Sequence, residues 1–307
     1  MPRKNKGQKR PAADAPASEA KVAKRDPAAS GPTSSSDDDG AKGKGGAKRL
    51  VLNYDEVMAA GDDSATALFE LANATHVVFR VGGRELTIQQ DPSVVGTGGC
   101  VWETAYLMAQ WLQPRLDELQ RDGRLLRCLE VGAGCGLLGV ALAHAGCDVL
   151  LTEQESAMAN LSANVAANAP PEASGGACAA ASLSWIDDGE LEAVAARGPW
   201  QVLVGTDVVY KAELVRPLLR TLWRCADSET KCWLCLQERD ADAHATLLRL
   251  APCFFRRVAP VPLDGLSFSE ELECFLLSLE GRRDAELDEE QVRLEEEERS
   301  DGESTKS

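Results

Sequence analysis

The chain has 307 residues and a formal net charge of −16, from 33 Lys/Arg against 49 Asp/Glu; its polar ends leave roughly 230 residues for one α/β-sized core. Residues 1–49 carry 12 basic against 6 acidic side chains, residues 281–307 carry 5 against 11, and the middle holds 16 against 32, which disfavours a non-specific grip on nucleic acid and favours a cationic substrate. With no signal peptide, no run of 18 apolar residues and ten irregularly spaced cysteines, no membrane association is expected, and a reducing compartment is, cytoplasmic and also nuclear.

Residues 1–49 are rich in Lys, Ala, Pro, Ser and Gly without apolar periodicity and read as a disordered basic tail. Within it, Lys9-Arg10 and the group Lys21, Lys24 and Arg25 are spaced like a bipartite nuclear-import signal, a plain solubilising tail being the equal alternative. Residues 50–280 are expected to form the folded domain. THVVFRVGGRELTIQQ predicts a hairpin, with VVFRV and ELTIQ as strands and Gly82-Gly83 as a turn that needs positive φ. A helix is predicted from Trp102 to Leu119. Strands and helices then alternate: strand 127–132, helix from Leu137, strand 148–153, helix 156–168, strand ASLSW at 181–185 and a helix near Glu190. The pattern continues with strand 201–207, helix 213–224, strand 231–238 and helix 241–250, PPEASGG at 170–176 being a loop insertion. Two strands without an intervening helix, FFRRVAP and LECFLLSL, close the domain. The expected fold is α/β, a doubly wound, mostly parallel seven-stranded sheet with an antiparallel last strand and an N-terminal hairpin. Residues 281–307 read as a disordered acidic tail, helical in part.

LEVGAGCG (129–136) carries the strongest motif: an apolar strand ends in Gly132, Gly134 and Gly136 and feeds a helix, where glycines let the backbone turn sharply and approach a ligand. Glu153 ends the next strand about 20 residues on, where an acidic side chain accepts hydrogen bonds from ribose hydroxyls. The third glycine of the dinucleotide fingerprint is missing, because Leu137 stands in its place. A pyrophosphate is therefore not the expected ligand, whereas S-adenosylmethionine has no phosphate to seat. Glu130, two residues before the first glycine, would suit the cationic amino-acid end of that cofactor. The pair Cys232/Cys235 lies i, i+3 on a predicted strand and faces opposite ways, and His76, His144 and His244 fall in no metal or triad motif, so no metal is expected.

TGGCVWETAYLMAQWL before the glycine strand, SLSW on the third strand, VGTDVVY after the fourth and the QER segment at 237–239 complete the pattern. From about residue 76 to 280 the chain resembles the family 16 lysine methyltransferases, whose Asp/Glu-x-x-Tyr/Phe motif matches Asp207-Val208-Val209-Tyr210. The resemblance implies a class I fold, S-adenosylmethionine as methyl donor and a protein substrate presenting a lysine, a chaperone or an AAA ATPase among the candidates. It also implies that Trp102, Gly132, Ala133, Gly134, Glu153, Trp185 and Thr206 line the cofactor pocket, and that Asp207 and Tyr210 handle the substrate lysine. Glu103 and Glu153 stand where the family more often has Asp, and Thr206 where it has a small apolar residue. By the residues alone, Trp185 reads as a core aromatic and only the resemblance places it in the pocket; for Asp207 the alternative is a helix cap with Tyr210 packed beneath it, and its position favours function. A methyltransferase acting on another substrate class, and a non-catalytic binding module, are the competing functions.

Overall fold

The computed structural model describes residues 50–60, 64–94, 98–120, 125–263, 266 and 273–293. The readings of residues 1–49 as a basic tail with an import signal, and of 294–307 as an acidic tail, lie outside the described residues.

A seven-stranded sheet runs in the spatial order β6-β5-β4-β7-β8-β10-β9. Its strands are β4 (Arg127–Val131), β5 (Asp148–Glu153), β6 (Ala177–Ser182), β7 (Val202–Thr206), β8 (Lys231–Gln237), β9 (Phe255–Val261) and β10 (Cys274–Arg282). All neighbours pair in parallel except β10, which lies antiparallel to both β8 and β9. The expected fold class therefore stands, with the last strand inserted one place in from the edge.

Strand alternation sends successive side chains to two apolar layers. Cys128, Val149, Val204 and Cys235 face one, together with α3 (Glu103–Leu112) and α5 (Leu137–His144). Leu129, Leu150, Leu203 and Cys232 face the other, against α7 (Asp188–Ala195), α8 (Ala212–Cys225) and α9 (Ala241–Phe254). Cys232 and Cys235 thus bury on opposite faces as small core residues.

The hairpin forms as read, β2 (His76–Val81) against β3 (Arg84–Gln89), with φ of 56° and 74° at Gly82 and Gly83. It belongs to a second, three-stranded sheet through β1 (Val51–Asn53), which pairs in parallel with β2. Two helices, α1 (Tyr54–Ala60) and α2 (Ser64–Asn73), connect them. None of the three elements before β2 was legible: a three-residue strand shows no alternation, and α1 is too short for a helical stripe. Its start carries a local signal, since Asn53 Oδ1 accepts the Glu56 amide at 3.2 Å as a cap. The helix expected over 102–119 is α3 followed by a 3₁₀ turn at Gln113–Arg115, where Pro114 falls, and by α4 (Leu116–Leu119). The remaining helix, α6 (Met158–Ala167), follows β5.

Two boundaries are corrected. The third strand is β6 at Ala177–Ser182, not 181–185; the run ACAAAS has only small side chains and no amphipathic pattern, and Trp185 falls in the turn beyond it. The folded unit also continues past 280. Arg283 and Val292 are buried, and the backbone amides of Arg283 and Leu287 donate to the carbonyls of Phe254 and Cys253. Residues 281–293 therefore pack against the folded unit through these contacts.

Candidate active site

In the sheet order, direction of travel reverses between β4 and β7, and the chain leaves both strands at the same edge, where a doubly wound sheet opens a crevice. After Val131 the backbone turns through Gly132 at φ 65° and Gly134 at φ 54° into α5. A Cβ on Gly132 would lie 2.8 Å from Val208 Cγ1 and 3.2 Å from the Trp185 ring, so only glycine fits between them. The Ala133 amide donates to the Thr152 carbonyl at 2.9 Å, and the Gly134 amide to Glu153 Oε2 at 2.9 Å. The other Glu153 oxygen accepts the Gln154 amide at 2.8 Å. Two backbone amides thus lock this carboxylate in orientation, while burial pushes its pKa up.

Gly132, Gly134, Glu153, Trp185, Thr206, Asp207 and Tyr210 all line one cavity of about 390 Å³. Three other expected site residues do not. Trp102 lines a neighbouring cavity, with the Arg239 guanidinium 4.6 Å from its ring centroid. Ala133 is buried within the loop itself. Glu130 shares its strand face with Cys128 and points under α5, where Oε2 accepts the Gly139 amide at 2.8 Å. It is 0% exposed, its Oε1 has no partner, and burial raises its pKa to about 8. Enclosed beneath α5, this carboxyl does not line the cavity, so its placement does not bring it to the cofactor's ammonium as expected.

Asp207 follows the last residue of β7 and adopts φ 51°, a left-handed conformation uncommon outside glycine. Its amide donates to the Cys235 carbonyl at 3.0 Å, and its Oδ1 accepts the Gln237 amide at 2.9 Å, so the end of β8 fixes it on two sides. It caps no helix: α8 begins after Lys211. Tyr210 is half-buried at the cavity wall, and burial raises its pKa, so the hydroxyl keeps its proton.

Sequence reasoning missed Gly98, Leu183, Val208 and Lys211 in the cavity wall. Gly98 had a signal, since it lies in the TGGC segment. Leu183 and Val208 read as ordinary core residues. Arg239, whose Nη2 lies 2.6 Å from Asp207 Oδ2, was visible only as the end of the QER segment.

The cavity suits S-adenosylmethionine on its own terms. A carboxylate at the strand end can accept from ribose hydroxyls, Leu183, Trp185 and Val208 offer apolar wall to a base, and the glycine loop leaves room for backbone approach.

A sequence model described as lysine methyltransferase matches residues 81–251. The protein N-lysine methyltransferase METTL21A of Danio rerio is 27% identical over 169 residues, covering 55% of this chain and 74% of that protein. The protein of that name from Mus musculus is 27% identical over 184 residues, 60% and 81% of the two chains. EEF1A lysine methyltransferase 3 of Mus musculus is 30% identical over 179 residues, 58% and 69%. Since the match runs through every strand that frames the cavity, the chain belongs to the lysine methyltransferase family.

Proposed function

We propose that Asp207 and Tyr210 receive the target lysine in this S-adenosylmethionine-dependent protein-lysine methyltransferase, and that the glycine loop with Glu153, Trp185 and Thr206 holds the cofactor. One observation carries the reading: Asp207 and Tyr210 line the same cavity as the glycine loop and Glu153.

When bound, S-adenosylmethionine supplies an electrophilic methyl group on a sulfonium centre. The chain's own work is to take in the lysine ammonium at Asp207, let it release its proton to solvent, and hold the resulting neutral nitrogen in line with that methyl. Asp207 Oδ2 can accept a hydrogen bond from the amine and stabilise the positive charge that nitrogen carries after transfer. The Tyr210 ring borders the path, and its protonated hydroxyl can donate or accept without adding charge.

The acceptor we propose is a lysine on a chaperone or AAA ATPase. The acidic middle of the chain suits a basic segment, and one relative is named for a lysine of EEF1A, so that factor is the first alternative to try. Full-length protein, labelled S-adenosylmethionine and a cell lysate test this. A labelled protein band in which lysine carries the label is expected; label on nucleic acid or small molecules alone would overturn the reading. We propose a cytoplasmic and partly nuclear location, directed by Lys9-Arg10 and the Lys21, Lys24, Arg25 group. A fluorescent fusion equally nuclear without those residues would remove the signal.

A further inference from the structure

We infer that Arg239 occupies the place of the substrate's ammonium in the resting enzyme, and that the target lysine enters by displacing its guanidinium from Asp207. The inference rests on the proposed lysine-handling role of Asp207.

The two oxygens of Asp207 are held in different ways. Oδ1 is tied to the Gln237 backbone amide, which cannot leave without disturbing β8. Oδ2 is held by Arg239 Nη2 at 2.6 Å, on a flexible side chain that is one-third exposed while Asp207 is 4% exposed. Only the second partner can be exchanged. Around the guanidinium stand a second carboxylate, Glu103 Oε2 at 3.7 Å, and the face of Trp102 with its centroid 4.6 Å away. Two carboxylates and an aromatic face form a site for any cation, and a lysine ammonium satisfies it as well as a guanidinium does.

The position of the pair gives the exchange a direction. Asp207 lines the cofactor cavity, whereas Arg239 and Glu103 line a second cavity of about 310 Å³ walled by Tyr54, Phe79, Val101 and Trp102. The ion pair therefore spans the wall between a chamber for the methyl donor and an apolar chamber suited to the methylenes of a lysine stem. Glu103 remains as a resting place for the displaced guanidinium, so no charge is left without a partner during exchange. Left-handed backbone at Asp207 adds a separate reason to expect function here, since such strain persists where the surroundings enforce it.

The test uses n-butylammonium, the lysine side chain without its backbone, titrated into full-length protein and followed by ligand-observed NMR. Arg239→Met keeps the stem against Trp102 and removes the competing charge. It should bind n-butylammonium about ten- to a hundredfold more tightly than wild type, the scale of one charge-assisted contact. Arg239→Lys should stay near wild type, and adding Asp207→Asn to Arg239→Met should remove the gain. Equal or weaker binding by Arg239→Met, the result expected if Arg239 only braces Asp207, overturns the inference. Should that variant not fold, wild type still decides: saturating n-butylammonium must move the Arg239 Nε–H resonance, and an unmoved resonance overturns it. A gain in Arg239→Met together with no lysine labelling in lysate strikes the proposed function and upholds the exchange. Lysine labelling without the gain strikes the exchange alone.

Discussion

The two edges of the cavity are built from different materials. At the glycine loop the holds are made by backbone amides and buried side chains: the amides of Ala133, Gly134 and Gln154 fix the loop to β5 and the Glu153 carboxylate in place, and Asn164 Nδ2 donates to the Cys135 carbonyl. On the Asp207 carboxylate one hold is a backbone amide and the other is an ion pair with a side chain that can swing. The first edge is shaped before any ligand arrives, and the second is shaped by whichever cation is present. Such a division suits an enzyme that takes one invariant cofactor and one side chain delivered by a large partner.

The largest expected effect breaks the rigid edge. Gly134→Arg puts a long side chain at a left-handed position beside the Glu153 anchor and should abolish S-adenosylmethionine binding in calorimetry. Normal binding would mean that the cofactor lies elsewhere.

Glu130, beneath that loop, sets a pH dependence. Its pKa rises from its ordinary 4.5 to about 8 because burial disfavours the charged form. Between those values the folded chain keeps a proton that the unfolded chain has released, so stability is full below about pH 4.5 and falls as pH rises through 8. The loss is on the order of 4 kcal/mol at high pH. Glu130→Gln should flatten the profile, and denaturant unfolding at pH 5 and pH 8.5 measures it; an unchanged slope would place the titration in another group.

The exchangeable edge should respond in turnover. Asp207→Asn removes charge but keeps shape, and should lower kcat/KM for the protein substrate by about ten- to a hundredfold, near 1.5–3 kcal/mol, with little change in cofactor affinity. Full activity would return Asp207 to a structural role. The smallest effect is the control: the exposed pair of Arg224 with Glu192 joins α8 to α7, and Glu192→Gln should leave the denaturant midpoint nearly unchanged. A larger loss there would mean that exposed pairs in this protein contribute more than expected, and the Asp207 result would need that correction.

Short-range pattern made the hairpin, the alternation after β4, the glycine loop and Asp207 legible, because each is announced within a few residues by glycine or by an apolar period. What remained hidden depends on direction. Glu130 lies just before the loop on β4 and Glu153 ends β5, and strand parity tells that Glu130 shares a face with Cys128, yet nothing local tells which face carries the ligand. Arg239 lies 32 positions from Asp207 and meets it only because β7 and β8 pair in parallel. Trp102 shows the same limit: it is the residue before α3, and only the fold reveals that it shares the second cavity with Arg239.

Residues 283–287 decide where this chain tolerates surgery. The last carbonyls of α9 have no partner within the helix, and Pro252, Cys253 and Phe254 find theirs in Arg283 Nε and in the amides of Leu287 and Arg283. A stop codon after 280 would leave those three acceptors beside a large apolar cluster that includes Phe254 and Phe255, and would favour inclusion bodies over soluble protein. An affinity tag joined beyond residue 293 leaves the whole clasp intact.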